Sequence, residues 1–375
     1  MKSSKTNSLQ KLLSFLLIAI LIVCIIGFAA SGWQAEDGNE PDSGNVGDNT
    51  DEPDENKDGN NTQTNAPTDS DNQQGTQESD TPRYYNKFTG LEITEKQFSS
   101  YPLGFSLNPS APLYGISEAD ISFEFPLESG KTRLLSYTSN YSSLWKIGTI
   151  APTRDYMSAT STFVGGVVVC YGNDDIVKYS AWDASKINLD ISKISNFYFI
   201  ENTLYVYTNT DMINSAVQSS DSLKCEGYKE APYIFSDALV SGTSEASTVL
   251  LPYSEIDETE LYYSDTSEQY LFFKSGTRKV DMLSGKNISF TNVFVLFANS
   301  TTYEKADGTE LVIDNLSGGS GYYISKGYMT EIRWNVNESG ELEFKTLNGE
   351  KLAVNKGNAY VAYYKASEAQ KVTVS

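Results

Sequence analysis

A sharp break in side-chain chemistry decides how much of this 375-residue chain can fold around a core. Residues 31–82 hold almost no large apolar side chains and are dense in Asp, Glu, Asn, Gly, Thr and Gln. Such a tract buries too little surface to offset its ordering entropy, so it reads as a solvated spacer. As a flexible coil it would span roughly 40 Å, and its like charges would stretch it further. The acidic run from Asp48 to Gly59 is interrupted by Pro53 and lacks the spacing of an EF-hand calcium loop. The folding part is therefore expected at 83–375.

Before the spacer, Lys2, Lys5 and Lys11 precede an uncharged apolar run from Leu12 to Ala30. A helix over that run would be about 28 Å long, against a hydrocarbon core of about 30 Å. The basic flank stays in the cytoplasm, which predicts a single-pass anchor with the folded body outside. Two other fates compete with a retained anchor. One is cleavage near Gly27-Phe28-Ala29. The other is lipid attachment at Cys24, where Val23 occupies the position a lipidation box gives to a small residue. The length of the run favours the anchor, because secretory apolar regions usually stop at about 15 residues.

The formal charge of −21 is uneven: +3 over residues 1–30, −13 over the spacer, and −11 over the rest. An acidic body is a poor match for nucleic acid. The chain has no histidine, which removes Ser-His-Asp and Cys-His nucleophilic sites and His-ligated zinc. No cofactor or metal is expected. Of the three cysteines, Cys24 lies in the apolar run, so Cys170 and Cys225 are the one internal disulfide pairing open to the chain. Sequence alone leaves that pairing open.

From Tyr84 onward, short apolar alternations rich in tyrosine replace the polar tract. Ala119–Phe125 alternates with period two, and Arg133–Tyr137 reads as a neighbouring strand. Gly166–Tyr171 reads as a strand buried on both faces. Arg154–Phe163, Asp174–Trp182 and Asp211–Gln218 read as helices, and the mixture predicts an α+β fold. From about Leu261 strands dominate, and Asn348-Gly349 between alternating runs predicts a type I′ hairpin. The expected division is an α/β domain over 83–250 and a smaller, mostly antiparallel β domain over 251–375.

Several motifs invite chemistry. Ser143-Leu144-Trp145-Lys146 has the Ser-x-x-Lys spacing of penicillin-recognising enzymes, but no Lys-Thr-Gly or Ser-x-Asn element follows it. Gly318-Gly319-Ser320-Gly321 lacks the following helix of a phosphate loop and reads as a turn or bulge. Asp174-Asp175 fits a cation ligand or an ordinary helix start. Glu124, Glu128, Arg133, Arg154 and Asp155 cluster in sequence. The carboxylates could do acid–base work and the arginines could clamp an anion, although strand-edge ion pairs account equally well for the spacing.

The residues also carry a resemblance. Lys87-Phe88-Thr89-Gly90-Leu91, Leu113 to Glu124, Thr132-Arg133, Ile147 to Tyr156, Ala231-Pro232, Gly319-Ser320-Gly321 and Ile332-Arg333-Trp334 together are similar to the YerB-like lipoprotein family of Gram-positive bacteria. The likeness runs from about Asn86 to Lys365. It implies an envelope-located, two-domain accessory protein and carries no established activity. The chain departs from the family pattern at Ala151, where the family has Arg. It departs again at Tyr171, where the family has histidine, and at Tyr233-Ile234, where the family has His-Asn.

The leading expectation is a membrane-anchored, extracytoplasmic binding or envelope-accessory protein without catalysis. Its site would be Arg133 and Arg154 with Glu124 and Asp155, taking an anionic or sugar-like ligand. Its partners would be the membrane, through Leu12–Ala30, and cell-wall or other envelope components. One alternative is a histidine-free hydrolase pairing Glu124 with Glu128 or Asp155. Another is an adhesion module presenting the tyrosine-rich C-terminal half.

Overall fold

The computed structural model describes residues 82–375 apart from 143, 173–187, 203, 220–226, 306–307 and 315. Among the described residues the fold is mostly β, and the expected α+β class is corrected. The α-helices there are Glu95–Phe98, Asp155–Ser158, Thr160–Val164 and Thr210–Gln218. The first three hold one turn or little more, too short to form a layer of their own. The stretch expected as one helix over Arg154–Phe163 is broken at Ala159 into two such pieces. Thr210–Gln218 matches its expected position, with the Asn209 side chain accepting from Met212 N at 2.9 Å as an N-cap. The expected helix Asp174–Trp182 lies outside the described residues.

The core is organised by one mixed sheet of fourteen strands. At its centre Asn292–Ala298, Ala359–Lys365 and Ile121–Pro126 run parallel, side by side. Thr132–Thr138 and then Leu103–Leu107 continue it antiparallel. The two expected halves, 83–250 and 251–375, therefore share this sheet, where Ile121–Pro126 borders Ala359–Lys365. On the other flank Gly319–Ser325 pairs with Asn292–Ala298. The glycines of Gly318–Gly321 serve this close approach. A Cβ at Gly319 would sit 2.3 Å from the Phe297 carbonyl oxygen, and one at Gly321 2.5 Å from that of Val295.

Each face of the sheet is covered differently. On one, Leu134, Tyr360 and Ala362 share a core with Val249, Leu251, Leu261 and Phe272. Those residues belong to a second, six-stranded sheet whose main strands are Thr248–Ser254, Asp257–Ser264 and Gln269–Lys274. On the other face, Phe123, Phe125, Tyr137 and Tyr363 pack under Tyr156, Met157, Phe163 and Val164 of the two short helices. Each fully buried side chain of this kind is worth about 1.5–3 kcal/mol of transfer free energy.

Smaller expectations resolve as follows. Val167–Cys170 is buried along its whole length, and Cys170 is a buried free thiol. Cys24 and Cys225 lie outside the described residues, as do Leu12–Ala30 and all but the last residue of the spacer. Among the described residues no helix is long and apolar enough to cross a membrane. The Asn348-Gly349 turn is tight but is not type I′. Gly349 N donates to Thr346 O at 3.0 Å, and Gly349, not Asn348, has positive φ, which centres the turn on Leu347-Asn348.

Candidate functional site

Strand alternation separates residues that the linear sequence places together. In the antiparallel pair, Glu124 lies opposite Leu134 and Phe125 opposite Arg133. Opposed residues share a face and successive residues alternate. Glu124 therefore enters the layer between the two sheets, and Arg133 emerges on the side of the short helices.

Glu124 is fully buried and saturated with donors. Thr132 Oγ1 donates at 2.5 Å, Lys274 Nζ at 2.8 Å, and Thr259 Oγ1 at 3.0 and 2.9 Å to the two carboxylate oxygens. The Tyr360 hydroxyl donates to Oε2. Lys274 also pairs with Asp257, and its Nζ lies 5.2 Å from the centre of the Tyr253 ring. Burial raises the Asp257 pKa; Lys274 pulls against this and the Glu124 charge adds to it. The result is a desolvated knot of two carboxylates and one ammonium joining both sheets. Its geometry leaves no open lone pair facing solvent for acid–base work.

The arginines converge on the other face. Ala151 N donates to Ser106 O at 2.8 Å and Ser106 Oγ to Pro152 O at 3.1 Å, which lays the segment before the first short helix across the sheet. Arg154 is the residue that opens that helix. It donates from Nη2 to Glu128 Oε1 at 2.5 Å and from Nη1 to Thr153 O at 3.2 Å. Asp155 is buried in the first turn, its Oδ1 accepting from Tyr156 N at 2.7 Å.

Arg133 is the unusual member. Its Nε is buried without a hydrogen-bond partner, and no ion pair to it occurs among the described residues. Burial, reinforced by the neighbouring Arg154 charge, pulls its pKa down to about 10, against weaker opposing effects of Tyr156 and Glu128. A guanidinium held this way costs folding free energy, and such positions are enriched at functional sites. The arrangement offers one pre-placed, unneutralised guanidinium beside a second that is half-neutralised by Glu128. Two planar forks of this kind suit carboxylate or phosphate oxygens.

The expected four-residue site thus divides. Arg133, Arg154 and Asp155 stand on one side of the sheet, and Glu124 is on the other. Glu124 and Glu128 do not form a catalytic pair, since one is held by Lys274 and the other by Arg154. In the Ser-x-x-Lys motif, Ser143 lies outside the described residues. Lys146 Nζ sits 4.2 Å from the Tyr114 ring centre and 4.0 Å from that of Tyr207, bonded to Glu201 at 2.7 Å. Burial works to lower its pKa, but the Glu201 bond and the two tyrosines outweigh it and raise the pKa, which keeps the ammonium charged and unfit as a base.

Sequence reasoning missed Lys274, Thr259 and Tyr360, which bond Glu124, and Asp257, which shares Lys274 with it. Each stands more than 130 positions away in the chain. No local signal could have named them.

These features define a class of protein: a β-rich body on one long mixed sheet, with a buried ionic knot on one face and an arginine pair on the other. The chain belongs to the DUF3048 family. Residues 88–223 match the protein of unknown function (DUF3048) N-terminal domain, and residues 249–361 match its C-terminal domain. Among solved structures it is similar to the crystal structure of the YerB protein from Bacillus subtilis. The TM-score is 0.66 at 20% identity, over 78% of this chain and 99% of that one. At that identity the likeness is one of fold. No curated protein matches the chain.

Proposed function

We propose that this protein is a membrane-tethered, extracytoplasmic binding protein that captures an oxyanion-bearing ligand at Arg133 and Arg154 without transforming it. The observation carrying this reading is Arg133: a half-buried arginine whose Nε is buried without a hydrogen-bond partner and to which no ion pair occurs among the described residues, next to a second arginine. A carboxylate or phosphate bridging the two forks would supply the missing acceptor and relieve the repulsion between them.

The test is to titrate the full-length chain with inorganic phosphate and with succinate, following heat release and Tm. Ligand at tenfold its Kd should stabilise the fold by about 1.4 kcal/mol. Arg133→Met and Arg154→Ala should each remove that gain, and Arg133→Lys should keep part of it. An anion effect unchanged in Arg133→Met would sink the site. Turnover of a wall or glycan substrate that is lost in Arg154→Ala would sink the non-catalytic reading. The tether is read from Leu12–Ala30 and its lysine flank. Protease added to intact cells should remove the folded body and leave the N-terminus protected; a resistant body would place it inside instead.

A further inference from the structure

Two clefts lie side by side at the end of the hairpin remote from Arg133. Asp120, just before the strand Ile121–Pro126, lines one of them, whereas Arg133 pairs with Phe125. Five residues of extended chain separate Asp120 from Phe125, about 17 Å. The first cleft has a volume of about 460 Å³ and the second about 470 Å³. Each falls within the range of about 300–1,000 Å³ typical of small-molecule sites. Lys356 lines both clefts. Gly90 lines the first, and its neighbours Thr89 and Leu91 line the second. Gly357 N donates to Thr89 O at 2.8 Å, which ties the segment around Gly90 to the one that carries Lys356.

We infer that the two clefts are adjacent subsites of one oligosaccharide-binding groove. The first supplies ring surfaces. Tyr85 is 47% exposed, and the Phe235 ring rests on Gly90, where a Cβ would come within 2.6 Å of it. Asn86 also lines this cleft; its Oδ1 accepts from Phe88 N at 2.8 Å and from Thr89 N at 3.1 Å, which fixes the cleft wall beside Tyr85. The second cleft is lined by amides, hydroxyls and carboxyls, among them Gln97, Asn140, Gln269, Asn358, Glu92 and Glu118. A sugar chain presents those same two chemistries, apolar C–H ring faces and a rim of hydroxyl and acetamido groups. Aromatic plates bind the first, and side-chain amides, which both donate and accept, bind the second.

Charge argues against a strongly anionic ligand here. Lys87 is paired with Glu230 at 2.6 Å and Lys356 with Asp237 at 2.7 Å. Two clefts in a row across a shared residue suit a repeating chain better than a single compact molecule. This groove is independent of the arginine pair.

The test uses N-acetylglucosamine oligomers of one to six units, titrated calorimetrically into the full-length chain. Affinity should rise at least tenfold from monomer to hexamer as the chain spans both clefts. Tyr85→Ala, in the first cleft, and Asn140→Ala, in the second, should each weaken hexamer binding by about fivefold to tenfold. Tyr85→Phe, which keeps the ring, and Arg133→Met, on the distant site, should leave it unchanged. Four results would overturn the inference: no binding of the hexamer at millimolar concentration, an affinity that does not depend on length, Tyr85→Ala binding like the parent, or loss of binding in Arg133→Met.

Discussion

Glu124 and Arg133 occupy neighbouring strands yet face opposite sides of one sheet, the first satisfied by five donor contacts and the second by none among the described residues. The asymmetry separates what holds the fold from what is open to a ligand. Glu124 is fully buried and compensated inside the protein, whereas Arg133 is half-buried and its Nε is not.

An uncompensated charge predicts a stability–function trade-off. Arg133→Met keeps much of the apolar stem and removes the desolvated guanidinium and its repulsion with Arg154. The ligand-free protein should become more stable by about 1–3 kcal/mol in urea unfolding, while anion binding is lost. A loss of more than about 1 kcal/mol would show that Arg133 is needed to hold the fold.

The knot around Glu124 predicts the opposite behaviour. Lys274→Met leaves Glu124 and Asp257 buried without their cation, and should cost about 3–5 kcal/mol. Adding Glu124→Gln removes one of the orphaned charges, so the double variant should fall short of the summed losses by about 0.5–3 kcal/mol. Strict additivity would mean that the pair seen at 2.8 Å carries no coupling energy.

Close backbone approach gives a third expectation. A Cβ at Gly321 would meet the Val295 oxygen at 2.5 Å, inside a central ladder that cannot move aside. Gly321→Ala should lose about 2–3 kcal/mol. Gly340 has φ of 76° with nothing near its virtual Cβ, so Gly340→Ala reports backbone strain alone and should lose about 1 kcal/mol. Equal losses in chemical denaturation would mean that the strand can yield at Gly321.

Short apolar runs make the main strands legible, although the alternation in Ala119–Phe125 points to a half-buried strand and Ile121–Pro126 is buried on both faces, its Ser122 and Glu124 included. Ile121–Pro126, Thr132–Thr138 and Asn292–Ala298 fall close to where those runs put them. The helical expectation exceeds what forms. The run after Arg154 is rich in Ser and Thr, weak helix formers, and breaks at Ala159, and a turn or two of helix over a β core leaves the fold β. The arginine pair was legible as two basic residues among strand-like runs. Its separation from Glu124 follows from register, which sets who faces whom, and register depends on a partner strand that local sequence does not name. Apart from Thr132 on the next strand, the donors around Glu124 arrive from strands 135 to 236 positions away, a distance no spacing rule spans.

Asp120 gives the pH dependence its sign. Its Oδ2 accepts from Ser139 N at 3.0 Å and from the Tyr228 hydroxyl, with Asn86 beside them. Burial raises its pKa above the ordinary 3.8, and these hydrogen bonds only partly offset that. The folded state therefore binds this proton more tightly than the unfolded state. Its contribution is fully present below the unfolded pKa and is lost as pH rises through the folded one. Exposed Glu268 and Asp237, both held low first by hydrogen bonds from Lys326 and Lys356 and then by those charges, carry the reverse sign, so the test is a difference between variant and parent. Asp120→Asn removes the titration and keeps an acceptor for Ser139 and Tyr228. Relative to the parent, its stability should climb as pH rises from 4 to 7, measured by urea unfolding at each pH. A difference that stays flat over that range would place the Asp120 carboxyl at its ordinary pKa in the folded protein.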